Sequence, residues 1–353
     1  MLAPRTETIL KSIVEQYITK AVPVPSQSIV NDYDLGVSSA TIRNEMARLE
    51  EEGYIIHPHT SAGSIPSDRG YRYYVESLKD VELPLAQQRM ISHLFHQVET
   101  RFDEWLSLTA TLLAHLAQNM AVVAMPKPAN CQFKHLELVS LQDSTALIVL
   151  VLRGVKVKQQ LITFNQVISQ PELVTIANKL NAVYSDLTSP QILAKGIRFS
   201  PMEQQLTDCV LKIMQAEDEE EYEGPYLDGL HFMFNQPEFT HTRQMQTLVE
   251  LTEQRNLLRI ILPKGLASHG VQVFIGKENE AEVIHDYSVV ISRYGLPEEA
   301  VGSIAIVGPT RMLYARSIAA IDYLSSLLTG LVARLYGEEA LPSQTWISPT
   351  DRE

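Results

Sequence analysis

The order of helix, turn and strand signals in residues 1–79 is the feature that most constrains how this chain folds. Proline and glycine end the periodic apolar segments, and serine stands where helices begin. The predicted elements, in chain order, are a helix from Pro4, a short helix from Ser26, a turn at 34–37, a helix from Ser38 or Ser39 to Gly53, a strand at 54–56, a loop at 57–66 and a helix at 68–78 capped by Ser67. This order is typical of a winged helix-turn-helix.

Beyond residue 79 the sequence predicts a mixed α+β protein. Apolar residues recur at helical spacing from 85 to 120, as one long helix or two that connect domains. The later elements are predicted as three antiparallel strands within 133–164, a helix at 171–183, a mostly helical stretch at 190–260, strands at 271–275, 283–284, 288–291 and 302–307, and a final helix at 312–335. Strands on both sides of a helical stretch indicate one α+β domain with an insertion.

Composition limits the class of protein. The 353 residues are 45% hydrophobic and 20% charged, which supplies cores for about two or three domains. The net charge of −13 excludes a basic surface over the whole chain but not a local basic patch. Two distant cysteines, the lack of 18 consecutive apolar residues and an acidic residue already at position 7 predict a soluble cytoplasmic protein, without a disulfide framework, membrane span or signal peptide.

The third predicted helix has an apolar side and a side suited to a DNA groove. At 100° per residue, Ile42, Met46 and Leu49 fall in one sector that should face the core. The opposite side carries alanines, which allow close approach of the backbone, and side chains that form bidentate hydrogen bonds with guanine or adenine. These residues are Ala40, Arg43, Asn44, Ala47 and Arg48, and the hydroxyls of Ser38, Ser39 and Thr41 lie at the helix N-terminus, where they suit a phosphate.

Residue chemistry alone leaves this assignment open. Any surface helix carries arginine and asparagine, and residues 1–79 hold eight basic and ten acidic side chains, a balance of −2. Phosphate neutralisation supplies most of the non-specific affinity for DNA. Such a domain would therefore bind weakly unless its cations share one face or the protein is a dimer.

Two blocks of the N-terminal region, and two further downstream, resemble a known family. The blocks are Ser38 to Ala47 with Leu49-Glu50 and Gly53-Tyr54, Pro58 to Gly63 with Ile65-Pro66 and Gly70-Tyr71-Arg72, Gly270 to Val273 with Ile275-Gly276, and Gly302-Ser303-Ile304 with Gly308 to Met312. They are similar to the bacterial heat-inducible transcription repressor HrcA. The resemblance spans nearly the whole chain.

The resemblance implies a fold and a function. The implied domains are a winged helix-turn-helix DNA-binding domain at 1–79, a helical linker at 80–125, a GAF-like domain in two parts at 126–185 and 261–342, an inserted, mostly helical dimerisation domain at 186–260, and a tail at 343–353. The implied function is repression of chaperone operons by a homodimer on an inverted-repeat operator in double-stranded DNA. The GroE chaperonin would favour the active repressor. No cofactor is predicted.

The residues expected to contact DNA lie in the third helix and in the following loop and helix. They are Ser38, Ser39, Ala40, Thr41, Arg43, Asn44, Ala47 and Arg48, then His59, Thr60, Ser61, Gly63, Ser64, Arg69 and Arg72. The family usually has arginine where this chain has Ser64. A serine can bond a phosphate but adds no charge, and each lost charge contact lowers the salt-dependence slope by about 0.9.

Four other motifs have both a chemical and a structural interpretation. His57 and His59 could bind a metal, although no nearby cysteine or carboxylate completes a ligand set. Tyr71, Tyr73 and Tyr74 could stack on bases, but helical spacing favours packing. Residues 308–311 could hold an anion or form a turn with Thr310 as helix cap, and the acidic run at 217–221 is typical of a solvated loop.

Two functions from different classes fit these observations. The first is a dimeric DNA-binding repressor of heat-shock genes. The second is a regulator whose GAF-like domain senses a small metabolite and controls DNA binding, although a fold alone does not imply a ligand. An enzyme is not expected, because we find no nucleophile-elbow pattern and no carboxylate pair with catalytic spacing.

Overall fold

The computed structural model describes most of the chain. The described residues are 2–32, 38–59, 63–79, 81–98, 101–127, 131–153, 157–197, 200–219, 225–240, 270–296 and 300–336, with short pieces at 246–247, 249–250, 252, 260–261 and 266. The predicted turn at 34–37 and the tail at 343–353 lie outside them.

Helices and strands alternate along the described residues. The helices are α1 (Pro4–Lys20), α2 (Ser26–Asp32), α3 (Ser39–Glu51), α4 (Asp68–Glu76), α5 (Leu85–Gln97), α6 (Phe102–Ala117), α7 (Gln170–Tyr184), α8 (Ser189–Ala194), α9 (Pro201–Glu219), α10 (Leu230–Phe234) and α11 (Tyr314–Tyr336). The strands are β1 (Ile55–Ile56), β2 (Ile65–Pro66), β3 (Met120–Lys127), β4 (Phe133–Gln142), β5 (Thr145–Leu152), β6 (Val157–Thr163), β7 (Tyr226–Asp228), β8 (Gln272–Ile275), β9 (Tyr287–Leu296) and β10 (Ala300–Pro309). The chain is a mixed α+β protein, as predicted.

The chain divides into two compact units. Unit 1 comprises 1–125, 224–295 and 302–353, and unit 2 comprises 126–223 and 296–301. The predicted first part of a GAF-like domain, 126–185, is therefore grouped with helices up to 223 and not with the C-terminal strands. The predicted linker at 80–125 belongs to unit 1, where α6 packs against α11.

The N-terminal segment, residues 2–79, packs three helices around one apolar cluster. Ile9 and Ile13 of α1 and Ile42 and Leu49 of α3 have no exposed surface. β1 pairs with β2 in antiparallel register, with Ile55 opposite Pro66. The predicted loop at 57–66 therefore ends in a strand, which sequence analysis missed because the ladder is only two residues long.

The rest of unit 1 contains a five-stranded sheet, in the order β7-β3-β10-β9-β8, and the helices that pack with it. α11 contributes Ile318, Ile321, Leu324 and Leu328 to its core. Among the described residues, the helix at 314–335 is long and apolar enough to cross a membrane by length and composition, and half of its apolar window is buried inside the protein. Core packing accounts for its apolar character.

Unit 2 contains a three-stranded antiparallel sheet in the order β4-β5-β6, covered on one face by helices. Alternate residues of β5 face the core, where Ile148 and Leu150 are fully buried. α7 begins with a capping box in which the Ser169 N–H and hydroxyl donate to Glu172. The three strands and the helix after them were predicted.

The predicted helical segment at 85–120 forms two helices, α5 and α6, which is one of its two predicted forms. Its last residue, Met120, belongs to β3, which was not predicted because a strand buried on both faces shows no alternation to separate it from a helix. Two other predicted elements differ from the structure. The predicted strand at 283–284 is a 3-10 turn, Glu282–Ile284. Thr310 is not a helix cap, since the final helix starts at Tyr314.

Candidate nucleic-acid interface

The outer side of α3 presents the side chains that sequence analysis assigned to DNA. Ile42, Met46 and Leu49 are buried, at 0%, 4% and 0% exposure. On the opposite side the side chains are exposed, and these are Ala40, Arg43, Asn44, Ala47 and Arg48. The structure confirms that α3 has one buried apolar side and one polar side that is exposed to solvent.

Ser38 caps the N-terminus of α3. Its Oγ accepts the N–H of Thr41 at 3.3 Å and lies 3.1 Å from the Thr41 hydroxyl. Of the two predicted caps, Ser38 and Ser39, the first holds this position. The remaining unpaired N–H groups of the first turn point along the helix axis, where the helix dipole favours an anion such as phosphate.

The two arginines of the α3 face differ in their partners. Arg43 is exposed, and its Nε lies 3.4 Å from the Ser26 hydroxyl, a weak contact that a base or a phosphate can replace. Arg48 forms an ion pair with Glu52 at 2.8 Å, and this hydrogen bond raises the pKa of Arg48. Because both partners of that pair are exposed, it is weak and can exchange for a phosphate.

The loop between β1 and β2 is described only at its base. Thr60 and Ser61 lie outside the described residues, and His59 is exposed. Gly63 lies against another backbone segment, so that a Cβ there would be 2.4 Å from the carbonyl carbon of Val24. Glycine is therefore required at 63 for packing, whether or not it also touches DNA.

Ser64 is fully buried, in contrast to the prediction that it contacts DNA. Its backbone pairs with Val24 through two hydrogen bonds of 2.8 and 2.9 Å. Its Oγ lies 2.9 Å from Nε2 of His57, whose Nδ1 lies 2.8 Å from a carboxylate oxygen of Glu50. Ser64 and His57 thus connect the base of the loop to the last turn of α3, which also gives His57 partners other than a metal.

Arg69 and Arg72 on α4 both have partners within the protein, and the side chain of Arg69 is exposed. Arg69 donates to the carbonyl of Glu52 at 2.6 Å and stacks on the ring of Tyr54, 4.3 Å from its centroid. Arg72 donates from Nε to Glu278 at 2.8 Å and from Nη2 to the carbonyl of Val273 at 2.6 Å. Burial opposes the charge on Arg72, but Glu278 more than offsets this, so the pKa of Arg72 is raised. The geometry removes Arg72 from the predicted DNA contacts.

Structural contacts account for the other motifs that carried a chemical alternative. Tyr71 and Tyr74 are buried, and Tyr71 packs on Tyr314 with ring centroids 5.8 Å apart. Within the acidic run, Glu217 is 3% exposed and pairs with Lys158 at 2.6 Å. Asp218 accepts the N–H of Cys131 at 2.7 Å. These two acids are structural and not a solvated loop, while the side chains of 219–221 lie outside the described residues.

Arg311 is the centre of a charged contact that the sequence did not predict. Its Nε donates to Glu238 at 2.6 Å, and its Nη1 donates to the carbonyl of Ile18 at 2.7 Å. The side chain is 13% exposed. No local signal marks this contact, because its partners lie 73 and 293 residues away in the chain.

Comparison with known proteins defines the class. A family profile described as "HrcA protein C terminal domain" matches residues 103–318. A heat-inducible transcription repressor HrcA from Dehalococcoides mccartyi is 54% identical over 96% of this chain and 98% of its own length, and one from Roseiflexus castenholzii is 40% identical over 96% of each. These relatives are named as transcription repressors, a regulatory class and not an enzyme class, as predicted.

The chain belongs to the heat-inducible transcription repressor HrcA family. The fold is shared with a crystal structure described as that of a hypothetical protein, with a TM-score of 0.58, 22% identity and coverage of 95% of this chain and 99% of that one.

Proposed function

We propose that this protein is a cytoplasmic repressor of heat-shock operons that binds an inverted-repeat DNA operator as a homodimer. The observation that carries the proposal is the outer face of α3. There Arg43 and Asn44 are exposed between Ala40 and Ala47, on a helix whose other side is buried. Family membership supplies the role of repressor.

The N-terminal segment fits a winged helix-turn-helix. α2 and α3 are successive helices that pack together, and β1 and β2 form the base of a wing at 57–64. In this arrangement α3 enters the major groove. We propose that the five-stranded sheet of unit 1 belongs to the GAF-like domain that the family resemblance implies, and that unit 2 is inserted into that domain.

Base recognition is assigned to two side chains. A guanidinium such as that of Arg43 donates two hydrogen bonds to O6 and N7 of guanine, and the amide of Asn44 pairs with N6 and N7 of adenine. The small side chains of Ala40 and Ala47 let the α3 backbone approach the groove floor. Neither Arg43 nor Asn44 has an acidic partner among the described hydrogen bonds and ion pairs of the protein.

Contacts with the DNA backbone are assigned to residues around α3. Ser38, Ser39 and Thr41 offer the helix N-terminus, Arg48 and Arg69 offer charge, and the wing offers His59, Thr60 and Ser61. Ser64 and Arg72 are left out because one is fully buried and the other is paired with Glu278. These contacts position α3 without reading sequence.

The proposed dimer explains how a segment with a charge balance of −2 gains affinity, because two subunits read two half-sites. We assign the interface to the outer sheet face of unit 2. Val139, Leu147 and Leu161 lie side by side across the three strands, and Val139 and Leu161 are 42% and 60% exposed. A second copy of this apolar face is the partner that an isologous interface requires.

Regulation by the GroE chaperonin is proposed on the family resemblance. In this scheme the chaperonin favours the DNA-binding form, and unfolded protein removes it during heat shock. Purified chaperonin should therefore raise the fraction of repressor that is competent for operator binding. Unchanged operator binding over a full chaperonin titration would remove this part of the proposal.

A cavity in unit 1 is the candidate binding site for the alternative function, in which the protein senses a small metabolite. It has a volume of about 460 Å³ and is lined by residues that include Met120, Asp228, His231 and Phe234. Ligand pockets for small molecules have this size, and mixed apolar and polar walls are usual. A ligand-dependent rise in the melting temperature of the full chain, together with altered operator affinity, would favour the sensor.

DNase I footprinting tests the proposed function. The protein is expected to protect an inverted repeat upstream of its host's chaperonin operon, in two half-sites related by two-fold symmetry. A double variant, Arg43→Ala with Asn44→Ala, should lose the footprint while keeping the wild-type melting temperature. Protection of random DNA at the same protein concentration would contradict sequence-specific repression.

A further inference from the structure

The N-terminal segment is attached to the C-terminal sheet through four residues, Asp68 and Arg72 of α4 and Gly276 and Glu278 after β8. We call this set the α4 joint. The Arg72 guanidinium donates to both carboxylate oxygens of Glu278, through Nε at 2.8 Å and through Nη2. Arg72 also donates to the carbonyl of Val273, within β8 itself. A bidentate ion pair between a planar guanidinium and a planar carboxylate fixes the relative orientation of the two groups as well as their distance.

The acidic partner of this pair is held in turn by its own backbone. Oε2 of Glu278 accepts the N–H of Ile275 at 2.8 Å, so the carboxylate spans the 3-10 turn at 276–278. Because the Glu278 carboxylate is also bonded to the backbone of the turn, Arg72 is fixed to the turn itself. Its orientation follows that of the sheet edge.

Asp68 forms the second half of the joint. Its Oδ2 accepts the N–H of Lys277 at 3.1 Å, across 209 residues of sequence. Gly276 has φ +54°, and a Cβ there would lie 2.3 Å from Oδ2 of Asp68. Glycine is therefore required at 276 for its backbone conformation and for the close approach of Asp68.

A separate attachment resists rotation about the joint. Arg311 donates to the carbonyl of Ile18 in the last turn of α1, and its other nitrogens hold Glu238. Between the two attachments the rings of Tyr71 and Tyr314 pack together. The contacts of Arg72 and Arg311 hold two different helices, α4 and α1, and the packed tyrosine pair lies between them. Together they fix the orientation of the N-terminal segment relative to the sheet, which a single contact would leave free to rotate.

The orientation of α3 follows from that of α1 and α4. α3 packs on α1, and the Thr6 hydroxyl donates to Glu45 of α3 at 2.8 Å. α4 packs on α1 as well. The recognition surface and the sheet therefore belong to one continuous set of contacts.

We propose that Glu278, acting through Arg72, is a positioning residue for operator binding that sets how strictly the dimer discriminates the spacing between half-sites. The proposal rests on the proposed function, since it concerns the same α3 surface. A rigid attachment fixes the orientation of each α3 relative to the five-stranded sheet of its own subunit. Each added base pair rotates one half-site by about 34°, since a turn of DNA holds 10–10.5 base pairs. A loosened joint lets each N-terminal segment follow that rotation.

The test compares three full-length proteins, which are the wild type, Glu278→Gln and the matched control Glu282→Gln. Glu282 is exposed and lies on the same segment, outside the joint. Operator affinity is measured by fluorescence anisotropy on duplexes with the natural spacer and with one or two base pairs inserted or removed. The wild type and Glu282→Gln are expected to lose about tenfold or more for two base pairs, and Glu278→Gln less than about threefold. Equal spacing penalties in all three proteins would overturn the proposal.

A second measurement needs no DNA. Amide hydrogen exchange is followed in segment 272–278, which contains the Ile275 and Lys277 donors of the joint. Glu278→Gln is expected to raise exchange there by about tenfold relative to the wild type, because local opening becomes easier, with no change in unit 2. Unchanged exchange in a folded Glu278→Gln protein would overturn the joint. A wild type that does not prefer the operator would refute the proposed function and the spacing role with it, while the exchange result still decides whether the joint exists.

Discussion

Arg72 and Glu278 form an ion pair across 206 residues of sequence, with Nε of Arg72 2.8 Å from Oε1 of Glu278. Arg72 lies within one of the blocks that resemble the repressor family, yet its side chain faces β8 and not solvent. Its side chain is 20% exposed and that of Glu278 is 33% exposed. The pair therefore gives Arg72 a role in the attachment to the sheet, while the proposed DNA contacts lie on α3, on the wing and at Arg69.

Replacing Arg43 tests base recognition. Arg43→Ala should cost about 1–3 kcal/mol of binding free energy on the operator and much less on random DNA, because only the specific complex contains the bidentate contact. The measurement is anisotropy on both duplexes. Arg89→Ala on the exposed side of α5 is the control and should bind as the wild type does. Equal losses on the two duplexes would refute the base-recognition role.

Replacing Ser64 tests whether the buried hydroxyl is structural. Ser64→Ala removes the partner of His57 Nε2 and should lower the free energy of unfolding by about 1 kcal/mol. Operator affinity should change by less than about fivefold, the value of one such hydrogen bond. Urea unfolding and anisotropy give the two numbers. An unchanged stability with a larger loss of affinity would place Ser64 at the DNA after all.

Replacing Gly276 tests the close approach of Asp68. Gly276→Ala adds a Cβ that collides with the Asp68 carboxylate, and alanine must also adopt the left-handed conformation of this position, which alone costs about 1–2 kcal/mol. Gly53→Ala is the control, since Gly53 also has a positive φ, +78°, but has nothing within 4 Å of the added Cβ. Thermal unfolding should show a larger loss at 276 than at 53. Equal losses would mean that the contact with Asp68 adds nothing.

Glu203 gives unit 2 a predictable dependence on pH. Lys179 donates to its Oε1 at 2.8 Å, and this hydrogen bond lowers the pKa of Glu203, while burial opposes the shift. Because the folded-state pKa lies below the unfolded value of about 4.3, the carboxylate stabilises the fold above that pH. The contribution is lost as the pH falls through the lower folded-state value.

Glu203→Gln should therefore lower the free energy of unfolding at pH 7 and flatten its decline below about pH 5. The measurement is urea unfolding between neutral and acidic pH. Asp208→Asn, an exposed change on the same helix, should keep the wild-type profile. A Glu203→Gln profile parallel to that of the wild type would show that this pair does not contribute to acid unfolding.

Leu161 tests the proposed dimer face. Leu161→Glu places a charge at one end of the apolar row formed with Leu147 and Val139, and burying that charge in an interface is costly. Analytical ultracentrifugation should show a monomer. Val167→Glu, at a site that is 73% exposed but lies after β6, should remain a dimer. A dimeric Leu161→Glu protein would exclude this face.

Local patterns predicted much of the fold. The apolar stripe of α3, the caps at Ser38 and Ser67 and the three strands of unit 2 follow from helical or alternating spacing and from short-range hydrogen bonds. β3 was missed because both of its faces are buried. The grouping of 126–223 into one unit was missed because the later helices join the three strands through apolar packing between segments far apart in sequence, which leaves no local signal.

The candidate site likewise has a part that the sequence predicted and a part that it did not. The exposed face of α3 could be predicted because it depends on one helix and its period. The burial of Ser64 and the pairing of Arg72 could not, since their partners are brought together only by the fold. For Ser64 these are His57 and Val24, and for Arg72 the partner is Glu278.

Fluorescence anisotropy tests the central claim most directly. A labelled duplex carrying the inverted repeat upstream of the host's chaperonin operon is compared with a scrambled duplex of equal length at two salt concentrations. We expect a preference for the repeat of about a thousandfold or more. Equal, weak and salt-sensitive binding to both duplexes, unchanged when purified chaperonin is added, would contradict it.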